Sequence, residues 1–210
     1  MIRAYLQYWH KNSNGKTIKY RRYRSDSFVG NIIKFISFFM GNVTTRSRSI
    51  SLSNRMFLSG HEIKKLDGTN FTDITVARVS PLLAPSGNSD YGIVVGSGTV
   101  PVTLHDFRLQ SKILHGTSAG RLQYGGTRLS NMDMSDPNKW FFNISRTFTN
   151  ATTADITITE AGLIVYLFSD TAIGINSPYY LIARDVLQEP ITIAPNDSVL
   201  IQYRVNFRKT

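Results

Sequence analysis

Residues 198–207 alternate without a break, with Val199, Ile201, Tyr203, Val205 and Phe207 on one side and Leu200, Gln202, Arg204 and Asn206 on the other. Successive side chains of a strand point to opposite faces, so this pattern marks an antiparallel strand with one face buried. Shorter strand signals fill the chain from residue 71 onward. They fall at 74–79, 92–96, 121–129, 140–149, 156–167 and 179–187, separated by Pro81, by Pro85-Ser86-Gly87-Asn88 and by Pro195-Asn196-Asp197. Many short strands with turn signals every few residues predict a β-sandwich or barrel. The chain has no βαβ alternation, which argues against a parallel α/β sheet. Glu160-Ala161-Gly162 breaks the period inside its strand, where glycine predicts a β-bulge.

The first third is organised differently. Ile2, Ala4, Leu6 and Tyr8 alternate with Arg3, Tyr5, Gln7 and Trp9, and Asn14-Gly15 is a strong hairpin-turn signal. Residues 16–24 return as the second strand of a basic, aromatic β-hairpin. Ser25-Asp26-Ser27 supplies helix-capping chemistry, and Phe28, Ile32, Phe35, Ile36 and Phe39 recur at helical spacing before Gly41-Asn42. One short helix is therefore expected over 28–40. Its apolar stretch is short for a membrane span and holds Lys34, which favours burial against protein. Residues 44–70 read as an irregular connecting segment on the surface, with one strand at most. The expected division is an arm over 1–43, the connector over 44–70 and a sandwich over 71–210.

The chain carries 24 Lys and Arg against 14 Asp and Glu, a net charge of +10. Residues 1–65 hold 13 of the cations and only Asp26 and Glu62 among the acids, so the excess sits in the first third. Such an asymmetry points to an acidic partner. Lys16, Lys19, Arg21, Arg22 and Arg24, interleaved with Tyr20 and Tyr23, are the candidate contacts to such a partner or to DNA, because cations meet phosphate and aromatic rings stack on bases. A solvated basic face is the plainer alternative.

Chemistry-bearing motifs are weak. The chain has no cysteine, which excludes disulfides, thiolate metal sites and cysteine nucleophiles. The four histidines, at 10, 61, 105 and 115, lack metal-ligand spacing, and His105-Asp106 reads as an exposed loop pair. Gly92, Gly96 and Gly98 lead into a non-helical stretch, so tight turns explain them better than a phosphate loop. Glu160 in its apolar strand is expected to hydrogen-bond at the bulge. No catalytic, metal-binding or cofactor-binding residue is assigned, and no small-molecule substrate.

Several pieces in order look familiar: residues 92–98 (Gly-Ile-Val-Val-Gly-Ser-Gly), Asp106-Phe107-Arg108-Leu109, His115-Gly116, Leu122-Gln123-Tyr124-Gly125, residues 145–150 (Ser-Arg-Thr-Phe-Thr-Asn), residues 158–163 (Ile-Thr-Glu-Ala-Gly-Leu), residues 181–187 (Leu-Ile-Ala-Arg-Asp-Val-Leu) and Pro190-Ile191-Thr192-Ile193. With the helix start at Ser25-Asp26-Ser27-Phe28-Val29, this order resembles tailed-bacteriophage virion proteins, the small β-sandwich modules of neck, tail and minor structural components. The resemblance covers residues 25–42 and 91–207 and implies a mainly β chain, an antiparallel β-sandwich of jelly-roll or immunoglobulin-like type. It implies a structural, non-enzymatic virion protein that forms a homo-oligomeric ring in the neck or tail and contacts portal, neck, tail or capsid proteins. The subunit contact would be the helix through Phe28, Ile32, Phe35, Ile36 and Phe39. Arg146 or Arg184 would pair with Glu160 or Asp185 at the sandwich rim. The alternative function is capsid decoration, or glycan binding at a host surface through Trp140 and Tyr179-Tyr180.

Overall fold

The structure, a computed structural model, describes residues 2–25, 55–57, 63–64, 70–71, 73–75, 82–166 and 179–208. All of its regular elements are strands: β1 (Ile2–Lys11), β2 (Thr17–Ser25), β3 (Arg55–Phe57), β4 (Ile63–Lys64), β5 (Asn70–Phe71), β6 (Asp73–Thr75), β7 (Gly92–Gly96), β8 (Gln123–Tyr124), β9 (Arg128–Leu129), β10 (Asp133–Asp136), β11 (Lys139–Thr149), β12 (Ile156–Tyr166), β13 (Tyr179–Ile193) and β14 (Ser198–Arg208). The larger sheet runs β10-β11-β14-β1-β2, with β8 and β9 also paired to β11. The smaller runs β13-β12-β7, and every ladder of both is antiparallel. The helix expected over 28–40, with its five contact residues, lies outside the described residues.

The two sheets close on one hydrophobic core. Leu6, Tyr8, Ile144, Phe148, Val199 and Ile201 of the larger sheet meet Ile93, Val95, Ile158, Leu163, Leu181 and Ile191 of the smaller. Each such side chain, once fully buried, contributes roughly 1.5–3 kcal/mol, and this layer is what the alternating pattern encodes. The mainly β, antiparallel sandwich read from the sequence is the fold observed.

Three features differ from expectation. The N-terminal hairpin is not a separate arm, because β1 pairs with β14 from Ile2↔Phe207 to Lys11↔Ser198 and buries Leu6 and Tyr8 in the core. The hairpin pattern is local, and nothing in it reports the long-range partner. Residues 44–70, expected to be irregular, contain β3, β4 and the start of β5, paired as β3 with β6 and β4 with β5. Strand β13 runs six residues beyond 187 and through Pro190. It can do so because β13 is an edge strand whose register shifts between Glu160↔Val186 and Ile158↔Ile191, so the proline interrupts no continuous ladder.

Residues 147–155 carry the chain from one sheet to the other. Buried Asn150 holds that corner: its Nδ2 donates to Ala154 O and Ile193 O, both at 2.8 Å, and its Oδ1 accepts from the Thr152 amide and hydroxyl.

Candidate functional site

Cross-strand register divides the hairpin's charges. Leu6, Tyr8 and His10 face the core, so their partners Tyr23, Arg21 and Lys19 lie on that same face. There Lys19 Nζ and Arg21 Nε reach Glu189 of β13 at 3.0 and 3.2 Å and tie the rims of the two sheets together. A hydrogen bond from the Lys19 ammonium, with the charge of the Arg21 guanidinium, holds the Glu189 carboxyl below its usual pKa. Lys16 lies at the end of the hairpin turn, while Arg22 and Arg24 belong to the opposite, outward face. The five candidate residues are therefore not one surface.

The outward face is a grid of four rows crossing the larger sheet. Tyr20, Trp9, Leu200 and Thr147 form the first; Arg22, Gln7, Gln202, Ser145 and Arg128 the second; Arg24, Tyr5, Arg204 and Asn143 the third; Arg3, Asn206, Phe141 and Asp133 the fourth. The Arg22 guanidinium lies over the Tyr5 ring at 4.0 Å and that of Arg204 over Phe141 at 3.5 Å. Trp9 and Tyr20 pack with ring centroids 5.0 Å apart. Gln202 Nε2 donates to both Gln7 Oε1 (3.0 Å) and Asn143 Oδ1 (3.1 Å), which makes an amide line through the middle. Asp133 is the one carboxylate in these rows. It stands at the rim, with the Ser135 hydroxyl and amide donating to it. Burial lowers the Arg204 pKa and the nearby Arg22 cation lowers it further, with Asp133 opposing. Arg128 and Arg204 lie outside the basic hairpin, on β9 and β14, and only the register reveals that they share its face.

The smaller sheet carries a different polar system. Glu160 is fully buried. Its Oε1 accepts from the Gly98 and Ser111 amides (3.2 and 2.8 Å), and its Oε2 accepts from the Gln110 amide (3.2 Å) and from Arg184 Nε (2.8 Å). Arg184 also donates to Asp106 Oδ2 at 2.9 Å and to Val100 O at 3.0 Å. Burial works against the Arg184 charge, but the hydrogen bonds to Glu160 and Asp106 outweigh it, so its pKa is raised. The pair expected at the rim is thus interior, where it pins the long loop between β7 and β8. A β-bulge does fall beside Glu160, as a register shift between Ile158 and Glu160. Gly96 and Gly98 serve this site rather than tight turns: a Cβ on either would meet Glu160 Oε1 at 2.5 Å.

Arg146 takes no carboxylate. From the larger sheet it donates to five carbonyls, those of Gly125 (2.7 Å), Tyr91 (3.0 Å), Ile93 (2.9 Å), Pro85 (3.2 Å) and Asn88, and its guanidinium lies 4.7 Å from the Tyr124 ring centroid. Burial pulls its pKa down to about 10, which leaves it charged at neutral pH. Four of these carbonyls belong to segment 82–93, which Lys112 also holds through Ser89 O and Asp90.

The remaining candidates separate. His105 is exposed, and Asp106 is engaged with Arg184 and Thr103. His115 Nδ1 accepts from the Tyr124 amide at 3.1 Å. Sequence reading missed a buried pair, His10 Nε2 to Asp197 Oδ2 at 3.2 Å, because 187 residues separate them. Tyr180 is buried, and Trp140 stands on the other sheet, 44% exposed. Among the described residues no three His, Asp or Glu cluster to hold a metal, and no helix is long and apolar enough to cross a membrane. No protein-family model matches the chain, and neither does any curated protein or solved structure.

Proposed function

We propose that this chain is a structural protein of a bacteriophage particle, a β-sandwich subunit that assembles through protein–protein contacts into a neck or tail ring. The observation that carries the reading is the use made of buried charge. Arg184 with Glu160 and Asp106 on one sheet, and Arg146 with its five carbonyls on the other, lock long loops onto the sandwich. A buried polar network with its partners in place rigidifies a fold, and rigid loops suit a subunit whose work is shape and contact. The order of strand and turn motifs that resembles virion modules supports the same reading. Its implied partners are further copies of the chain and neighbouring virion proteins, and its location is the virion.

The test is the mass of the full-length chain by analytical ultracentrifugation at low and high salt, with averaged electron micrographs of the same sample. A discrete oligomer with rotational symmetry is expected. A monomer at every concentration and salt would overturn ring assembly. Truncating residues 1–43 does not serve as a test, because it removes β1 and β2 from the sheet.

A further inference from the structure

Among the described residues, the outward face of the larger sheet sets Arg22, Arg128 and Arg204 against one carboxylate, Asp133. Arg22 and Arg128 are exposed at opposite ends of one row, four strand spacings apart, or about 19 Å. Between those ends lie the half-buried amides of Gln202 and Asn143, with Gln7 buried beside them, and Arg204 stands one row over. Like charges held together across a sheet cost stability, and Asp133 is the single carboxylate in the four rows. Charged side chains also protect an edge strand from unwanted pairing, which accounts for Arg22 on β2. That reason does not extend to Arg204, since β14 lies between β11 and β1.

Three chemistries therefore share this face. Guanidinium groups stacked on Tyr5 and Phe141 have their orientation set by the rings beneath them. The Trp9–Tyr20 pair is half-buried on one side and exposed on the other. The third is the pair of half-buried amides Gln202 and Asn143, hydrogen-bonded to each other at 3.1 Å.

We propose that this sheet face binds single-stranded nucleic acid, with the arginines on phosphates and the Trp9–Tyr20 pair stacking on a base. An acidic protein surface would use the arginines alone. The aromatic pair and the half-buried Gln202 and Asn143 amides add base stacking and base-edge hydrogen bonding, which a polypeptide of Asp and Glu has no use for. The binding is expected to tolerate any sequence and to weaken steeply with salt. This proposal does not depend on the virion reading.

The test uses the full-length chain and a fluorescently labelled single-stranded oligonucleotide, followed by anisotropy over a salt series. Polyglutamate and a duplex of the same sequence are the competitors. Binding to the single strand is expected, with neither competitor matching the unlabelled strand. In Arg22→Ala/Arg128→Ala, affinity is expected to fall at least tenfold and the log–log salt slope to shrink by about one to two units. Both residues are exposed, so an unchanged melting curve verifies the fold. Quenching of tryptophan fluorescence by the strand is expected to persist in Trp140→Phe and to vanish in Trp9→Phe. Absence of binding would overturn the proposal. So would equal competition by polyglutamate, unaltered affinity in the double variant, or quenching that survives Trp9→Phe.

Discussion

Arg184 Nε donates to Glu160 Oε2 across 2.8 Å, with both side chains withdrawn from water. Removing one partner of such a pair leaves an uncompensated buried charge, which costs about 3–5 kcal/mol. Glu160→Ala is therefore expected to lose that much in equilibrium urea unfolding. It should also free the amides of Gly98, Gln110 and Ser111, which donate to the same carboxylate, so these three should gain hydrogen exchange beyond the global change. A double replacement, Glu160→Met with Arg184→Met, is expected to cost less than the single one, because no charge is stranded.

The same carboxylate explains two glycines. A Cβ on Gly98 would lie 2.5 Å from Glu160 Oε1 and 2.6 Å from Gln110 Cβ, and one on Gly96 would lie 2.4 Å from Ser111 O. Gly98→Ala is expected to cost about 1–3 kcal/mol by overpacking and to loosen the loop that Glu160 holds. Gly120 has φ +73° with nothing within 4 Å of a Cβ, so Gly120→Ala should cost about 1 kcal/mol through backbone conformation alone. Thermal melts give the two costs and hydrogen exchange separates the causes: exchange at the Gln110 and Ser111 amides should rise in the first variant and stay unchanged in the second.

How much of this was legible depends on the range over which each feature is encoded. Strands β11, β12 and β14 follow from the alternation of neighbouring residues, and Asn14-Gly15 marks the hairpin turn. Which strands become neighbours is not local information. Gln7 and Arg22 sit in one hairpin, but Arg128 joins their row only through β14 and β11. The Arg184–Glu160 pair was within reach because an acid and a base stood in two apolar strands. Its burial was not, because the covering loop is held by backbone amides that no sequence pattern reveals. Arg146 shows the same limit more sharply, since five carbonyls leave no trace in residue identity. His10 with Asp197 had no signal at all.

Alkaline pH tests the tyrosines of the sheet interior. Burial first, then the nearby Tyr8 hydroxyl, pushes the Tyr23 phenol up to about 12. Burial likewise raises Tyr124, and burial followed by Asp185 raises Tyr203 well above its ordinary value. A phenol whose folded pKa exceeds its unfolded value holds more protons in the native state. Its contribution is then complete below about pH 10 and is lost as pH climbs through the folded pKa. The melting temperature is expected to fall from pH 10 upward, over a window that reaches 12 for Tyr23 and extends higher for Tyr124 and Tyr203. Tyr203→Phe should flatten that fall. An identical slope in the variant would show that Tyr203 does not titrate with unfolding.

The division of the hairpin's charges gives the last prediction. Lys19 and Arg21 share Glu189 on the core-side face, whereas Arg22 faces outward over Tyr5. All three ion-pair groups of the first set are substantially exposed, so Glu189→Gln is expected to leave the melting temperature nearly unchanged. Lys19→Ala/Arg21→Ala removes as much formal charge as Arg22→Ala/Arg128→Ala. If long-range charge alone drew a polyanion to this protein, the two double variants would weaken binding equally. Because only the second pair lies in the outward rows, it is expected to lose at least tenfold in strand affinity, and the first pair less than threefold at physiological salt, where screening acts within about 8 Å. Anisotropy titrations of the two variants side by side decide between a face and a net charge.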